Sequence, residues 1–267
     1  MDSAHLHDPF FRTVTAEEFR HADLAGLAAG RCAAVRVPHL QSADDCARVV
    51  DALQDVAFDS YSERRVQPSV MRFGVGVSDH RVNGRITESY WPALRAARES
   101  WRFLRLPFDP MARARQAIGE HWPKGVAVGR HRGRTLGAGV LREAPQGFRV
   151  HYDDAEREFE EFLLGSPLVA QLAFNLYLSV PSTGGETVIW RKRWHPEDEK
   201  FRPPQSYGYT DDVVRRAERL EMRPTVGEGL LFDSRNYHAV RASSGSRRIA
   251  LGFSLGLTAD GDLLAWG

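Results

Sequence analysis

The pattern of apolar and polar positions changes character near residue 137. Before that point the periodicity is mostly helical. Thr15-Ala16-Glu17-Glu18 has the form of a capping box, and Phe19, Leu24 and Leu27 follow at roughly helical spacing. Ser42-Ala43-Asp44-Asp45 opens a second helix that the pattern carries to about Phe58. Trp91 to Leu106 and Pro110 to Trp122 are two further helical stretches, each rich in Arg on one side. Cys32 to Pro38 alternates like a strand, and Val70 to Val77 reads as another. After residue 137, short β-type runs divided by Gly and Pro dominate: Gly139–Leu141, Phe148–Tyr152, Leu168–Val180, Glu186–Trp190, Gly229–Phe232 and Arg247–Leu257.

Between Glu186–Trp190 and Gly229–Phe232 lies Arg191 to Pro224, a polar stretch with Pro196, Pro203 and Pro204 and one short helix near Asp211–Leu220. It reads as a long insertion between strands, either a lid or a surface excursion. The chain shows no internal repeat and no low-complexity block. The pattern predicts one domain over residues 1–267, with a helical buttress over about 14–136 and a β core over about 137–257. A small antiparallel barrel or double-sheet jelly roll, with the N-terminal helices packed outside, fits that order.

Composition narrows the function. A chain of 267 residues with 42% hydrophobic content can bury one full core. Lys+Arg of 36 against Asp+Glu of 35 leaves a net charge of +1, so no strong field draws nucleic acid or an anionic membrane surface. Cys32 and Cys46 make no disulfide framework, and a reduced, cytoplasmic setting is expected. They read as buried small hydrophobes. The polar stretch from Met1 to Thr13 has no apolar core of a secretion signal, and no apolar run approaches the 18 residues or so of a membrane span. His5 and His7 fall in that stretch and read as a disordered end rather than a metal site.

The chemistry is carried by His151-Tyr152-Asp153 and, far downstream, His238. Two imidazoles and one carboxylate are the ligand set of the facial triad that holds non-haem Fe(II). On an extended strand, residues at i and i+2 point to the same face, so one short strand can aim His151 and Asp153 at one metal. His238 follows the apolar run Leu230-Leu231-Phe232 and would supply the third ligand from a distant strand. A dicarboxylate co-substrate that chelates such a metal needs a cation at its far end, and Arg suits that task through bidentate, permanent charge. Arg247 and Arg248 lie nine and ten residues after His238, at the start of an apolar strand. Only one can point inward. Arg247 shares a face with the bulkier set Ile249, Leu251 and Phe253, which favours Arg247 as the inward residue, with Arg248 as the alternative.

The order His151-x-Asp153, Asn175-Leu176-Tyr177-Leu178, Gly184-Gly185-Glu186-Thr187, His238-Ala239-Val240 and Gly245-x-Arg247 resembles the Fe(II)/2-oxoglutarate dioxygenases of the prolyl 4-hydroxylase-like type. The resemblance covers roughly residues 137 to 257. It implies a double-stranded β-helix, iron held by the H-x-D…H set, O₂ as oxidant, and a basic residue about ten positions after the distal His on the far carboxylate of 2-oxoglutarate. It also implies a helping Tyr at Tyr177. Within that group the chain is similar to small enzymes that act on free amino acids, including the radical lysine halogenases and their hydroxylating relatives. In the halogenases Gly replaces the carboxylate ligand; here Asp153 stands in that place, which argues for hydroxylation. The resemblance therefore implies a hydroxylase of an unactivated C–H in a small molecule, a free amino acid of specialised metabolism, cationic amino acids included. Asp154 matches a position that binds a substrate amine, and reads otherwise as a solvent carboxylate. Trp266 loosely matches an aromatic over the substrate, or packs.

Several other residues are candidates from position alone. Asn175 could reach 2-oxoglutarate or substrate, or be a satisfied core Asn. Arg72, Arg142 and Arg149 could meet a substrate carboxylate, with Arg142, near the triad, the first choice. His195 reads as structural or as part of the insertion. The Arg run 113, 115, 130, 132 and 134 reads as a solvated face, or as a grip on a phosphate-bearing substrate. Gly184-Gly185 supplies a turn with positive φ. The alternatives are a peptidyl or carrier-bound amino-acid hydroxylase and a cupin-like metal protein without redox turnover.

Overall fold

Two β-sheets face one another, and the three donor residues sit between them. The computed structural model describes residues 8–63 and 65–267, so His5 and His7 lie outside the described residues. The larger sheet runs Thr13–Thr15, Ala34–Val37, Gly229–Asp233, Leu168–Ser179, Ile249–Thr258, Val140–Glu143, Met71–Phe73 and Asp59–Ser60. Leu263–Trp266 pairs with the far part of Ile249–Thr258 and with Val126–Val128. The smaller sheet runs Phe148–His151, Asn236–Val240, Thr187–Arg193 and Arg219–Met222. Tyr177, Leu230, Phe232 and Ala250 of the large sheet pack against Ile189 and Met222 of the small one.

Strand alternation sorts the side chains of the large sheet. On Leu168–Ser179 the even positions Leu172, Phe174, Leu176 and Leu178 join Leu251, Phe253 and Leu255 of the neighbouring strand. That apolar face is covered by Leu24 and Leu27 of helix His21–Ala28, Val49 of helix Ala43–Ala52, and Ala114 and Ile118 of helix Pro110–Gly119. Cys32 and Cys46 are buried in this layer, and burial pushes both thiols up to about 11, so they behave as small apolar side chains. The opposite face, toward the small sheet, carries Gln171, Ala173 and Asn175 on one strand and Ala250 and Ser254 on the next. Small and polar residues on that face leave room for a cavity.

The helices start where local chemistry supports them. Ser42 caps helix Ala43–Ala52 by accepting from the Asp45 backbone N–H at 3.1 Å. Asp109 caps the next-but-one helix through the N–H groups of Met111 and Ala112, with Pro110 in the first turn. The first helix begins at His21, not at Thr15. Thr13–Thr15 pairs in parallel with Ala34–Val37, so sheet pairing takes the residues of the apparent capping box, and buried Phe19 pins the chain as it turns into the helix.

The stretch Arg191–Pro224 is ordered into the fold. Its expected helix near Asp211–Leu220 is instead a short 3₁₀ turn, Asp211–Val214, and the start of a strand, Arg219–Met222, paired with Thr187–Arg193; a second 3₁₀ turn spans Pro196–Phe201. Leu220 and Met222 alternate with Arg219 and Glu221, a period of two rather than 3.6. Among the described residues no helix is long and apolar enough to cross a membrane.

Two substitutions test this layering. Ser42→Ala removes the cap and is expected to cost about 1 kcal/mol. Leu251→Ala empties a fully buried site under the helices and is expected to cost about 2–5 kcal/mol. Urea unfolding of both variants measures the difference; a Leu251→Ala cost no larger than that of Ser42→Ala would mean the helices do not seal that face.

Candidate functional site

His151 ends the strand Phe148–His151 and His238 lies inside Asn236–Val240; the antiparallel register makes the two direct partners. Their ring centroids are 4.2 Å apart. Asp153 follows just past the strand end, where its backbone is held on both sides. Its N–H donates to the Ser234 carbonyl at 2.9 Å, and its carbonyl accepts from Ser234 Oγ and Gln171 Nε2, each at 3.1 Å. One donor atom from each of His151, Asp153 and His238 lies within 4.8 Å of the others.

Both histidines are turned the same way. His151 Nδ1 is 2.7 Å from the Arg149 carbonyl and His238 Nδ1 is 3.0 Å from the Asn236 carbonyl. Nδ1–H donates in each case, which leaves the Nε2 lone pair for a metal. His238 Nε2 stands 3.6 Å from Asp153 Oδ2. Burial, together with the neighbouring His238, pushes the His151 imidazole down to about 3, so it is neutral at physiological pH. Burial alone would raise the Asp153 carboxyl; the neighbouring His238 and His151 and the hydrogen bond from Tyr207 outweigh it and hold it well below the usual carboxylate range. Two imidazoles offering Nε2 and an ionised carboxylate on one side of a cavity fit a divalent iron with an open flank.

That cavity, of about 170 Å³, is walled by both sheets. Arg248 enters it. Its Nε donates to the Gly185 carbonyl at 2.9 Å, its Nη2 lies 3.4 Å from Thr187 Oγ1, and its guanidinium sits over the Tyr177 ring at 5.2 Å. The Gly184–Gly185 turn, at φ +74 and +76, thus also holds this arginine. Arg248 is 4% exposed and, among the described residues, has no carboxylate within ion-pair distance. Arg142 lines the same cavity; its Nε donates to the Tyr61 hydroxyl at 3.0 Å, and it too lacks an ion-pair partner among the described residues. Gly252 makes the space, since a Cβ there would lie 3.2 Å from Arg142 Nη1 and 2.9 Å from Asn175 Oδ1.

The expectation that Arg247 points inward is corrected. Arg247 turns to the outer face, where it pairs with Glu143 at 2.7 Å and lies over Phe58. Its bulky companions Ile249, Leu251 and Phe253 face the helices, while Arg248 shares its face with Ala250, Gly252 and Ser254. Tyr177 is fully buried and does not line the cavity; its hydroxyl meets Thr187 Oγ1 at 2.8 Å behind Arg248. Asp154 is likewise outside. The chain turns into the short helix Ala155–Glu158, and Asp154 caps it by accepting from the Glu156 N–H at 3.1 Å. The carboxylate from this segment that does reach the cavity wall is Glu158. Asn175 and Trp266 both line the cavity, whereas Arg72, Arg149 and His195 do not. Arg72 is ion-paired to Asp79.

Tyr61, Asp79, Glu158 and Tyr207 also line the cavity and carried no signal in the sequence. Tyr207 is the most informative of them. It lies in the 191–224 stretch, and its hydroxyl donates to Asp153 Oδ1.

Comparison with known proteins adds identity to this geometry. The family model for the carrier-protein-independent halogenase WelO5 matches residues 159–264, downstream of His151-Tyr152-Asp153. The L-gamma-glutamyl-L-propargylglycine hydroxylase of Streptantibioticus cattleyicolor is 36% identical over 263 residues, 97% of each chain. Leucinostatins biosynthesis cluster protein S of Purpureocillium lilacinum is 29% identical over 53% of this chain and 60% of its own. The solved N-substituted L-amino acid dioxygenase of Burkholderia ambifaria, in complex with alpha-KG, has the same fold at a TM-score of 0.59 and 18% identity, covering 91% of this chain and 90% of that one. With near-complete coverage by a hydroxylase and a His-Asp-His triad in one cavity, the chain belongs to the Fe(II)/2-oxoglutarate-dependent dioxygenases, in the family of that hydroxylase and with the carboxylate ligand position filled.

Proposed function

We propose that the protein hydroxylates an unactivated C–H of a small amino-acid substrate, free or carrying an N-acyl group such as γ-glutamyl, as a soluble cytoplasmic enzyme of specialised metabolism. One observation carries the reading: two guanidiniums, Arg248 buried and Arg142 half-buried, open into the cavity of the triad with no carboxylate at ion-pair distance among the described residues. A buried cation of this kind needs an anion. An enzyme that binds both 2-oxoglutarate and an amino-acid carboxylate supplies two. The kinship with the γ-glutamyl-propargylglycine hydroxylase supports the N-acyl option.

In this reading His151, Asp153 and His238 hold Fe(II), which supplies the O₂-dependent oxidation that splits 2-oxoglutarate to succinate and CO₂ and hydroxylates the substrate. Arg248, braced by Gly185 and Thr187, holds the distal carboxylate of 2-oxoglutarate, with Asn175 on the same wall and Tyr177 stacking behind. Arg142 holds a substrate carboxylate. Trp266, Phe148 and Val240 line the remaining wall and keep water out. Glu158 replaces Asp154 as the carboxylate near the substrate. The strand orders of the two sheets support a double-stranded β-helix in a single domain: Gly229–Asp233, Leu168–Ser179, Ile249–Thr258, Val140–Glu143 facing Phe148–His151, Asn236–Val240, Thr187–Arg193, Arg219–Met222.

Asp153→Ala is expected to abolish metal-dependent succinate formation, and full turnover by that variant would refute the ligand assignment. A charged hydrogen bond is worth about 1.5–3 kcal/mol, so Arg248→Gln should raise KM for 2-oxoglutarate by at least about tenfold. Arg142→Gln should do the same for the substrate and leave KM for 2-oxoglutarate unchanged. Exchange of these two effects would reverse the assignments. The substrate class is tested by adding free amino acids and γ-glutamyl amino acids, anaerobically, to protein loaded with Fe(II) and 2-oxoglutarate. A shift of the visible band with one class, followed by product mass of one added oxygen, identifies it. Silence from both classes would point to a peptidyl or carrier-bound substrate.

A further inference from the structure

The side chain of Asp153 has two oxygens in different surroundings. Oδ2 faces His238 Nε2 at 3.6 Å, on the side where the three donors converge. Oδ1 accepts the hydrogen bond of Tyr207. The backbone of Asp153 is fixed by Ser234 and Gln171, so rotation about the side-chain bonds is the freedom that remains. We propose that Tyr207 is a positioning residue that holds Asp153 as a one-oxygen ligand, by occupying Oδ1 and leaving Oδ2 alone to face the metal.

The geometry on the Tyr207 side suits that task. Its N–H donates to the Arg65 carbonyl at 2.6 Å, its ring lies 5.5 Å from His151 and 6.3 Å from Phe148, and the Arg65 guanidinium caps its other side at 5.1 Å. The ring is therefore held on several sides, and its hydroxyl is delivered to a fixed point. The same hydroxyl is 3.2 Å from Glu158 Oε1 and 3.4 Å from the Tyr152 carbonyl, but a phenol has one proton, and the contact to Asp153 is much the shortest. The consequence is chemical. A carboxylate that bound through both oxygens would take a coordination position needed by 2-oxoglutarate or O₂. The stretch 191–224 then contributes to the metal site directly, by supplying the group that orients a ligand, and not only by covering the cavity.

The inference rests on His151, Asp153 and His238 being the metal ligands, and the test separates the two. Tyr207→Phe removes one hydroxyl and keeps the ring, so the variant should unfold with the same midpoint as the parent within about two degrees. Affinity for Fe(II) or Co(II), measured anaerobically by titration, is expected to fall about 10–100-fold. The visible bands of Co(II)-loaded protein should change as the carboxylate alters its mode, and succinate should form in excess over hydroxylated product. Glu158→Gln should leave metal affinity within about threefold of the parent. Unchanged affinity and Co(II) bands in Tyr207→Phe would overturn the proposal, as would an equal loss of affinity in Glu158→Gln, which would make Glu158 the true target of the hydroxyl. A parent protein that binds neither metal would instead refute the ligand set itself.

Discussion

The pairing of His151 with His238 across two neighbouring strands is the constraint on which the site is built. Register decides it. A slip of one residue would turn one imidazole out of the cavity. Each ring is then tied back to a carbonyl two residues earlier on its own strand, which fixes the tautomer and points Nε2 at a common centre. The ladder thus sets where the rings are, and the local hydrogen bonds set which nitrogen is offered. Asp153 comes from the same chain segment but beyond the ladder, so its position depends on Ser234, Gln171 and Tyr207 rather than on strand pairing.

Around this centre the large sheet divides its two faces by size. On Leu168–Ser179 and Ile249–Thr258 most bulky apolar side chains lie under the helices, and the stretches beside the triad present Ala, Gly, Ser, Asn and Gln to the cavity. This is the reverse of a barrel whose interior is filled with its largest side chains. The interior here has to admit a co-substrate and a substrate, so the densest packing moves to the outer face. The glycine at 252 shows the trade clearly, because any Cβ would crowd both Asn175 and Arg142.

The charges follow a matching division. Arg72 is paired with Asp79, Arg81 with Glu158 and Arg247 with Glu143, so these cations are neutralised by the protein. Arg248 and Arg142 are the exceptions around the cavity, held by a carbonyl and hydroxyls. Burial lowers the Arg248 guanidinium, while the neighbouring Tyr177 opposes the effect. Neutral partners orient these two side chains without consuming their charge.

The sequence by itself determined the donor triad, most of the strands after residue 137, and the helices at Ser42 and Asp109. Those signals are local, being a metal-ligand spacing, a period of two and a capping side chain. It misassigned Arg247 against Arg248 because alternation tells which residues share a face but not which face looks inward. The resemblance offered Asp154 as a substrate contact or a solvent carboxylate, and the helical turn after Asp153, which was not legible, uses it as its cap. The sequence pattern carried the helix near Asp211 on to Leu220, into the strand Arg219–Met222, because a four-residue amphipathic run is ambiguous until it finds a partner strand. Tyr207 and Tyr61 reach the cavity from distant segments, and only the folded chain could bring them there, since no spacing in a linear sequence encodes a contact made across the sheet.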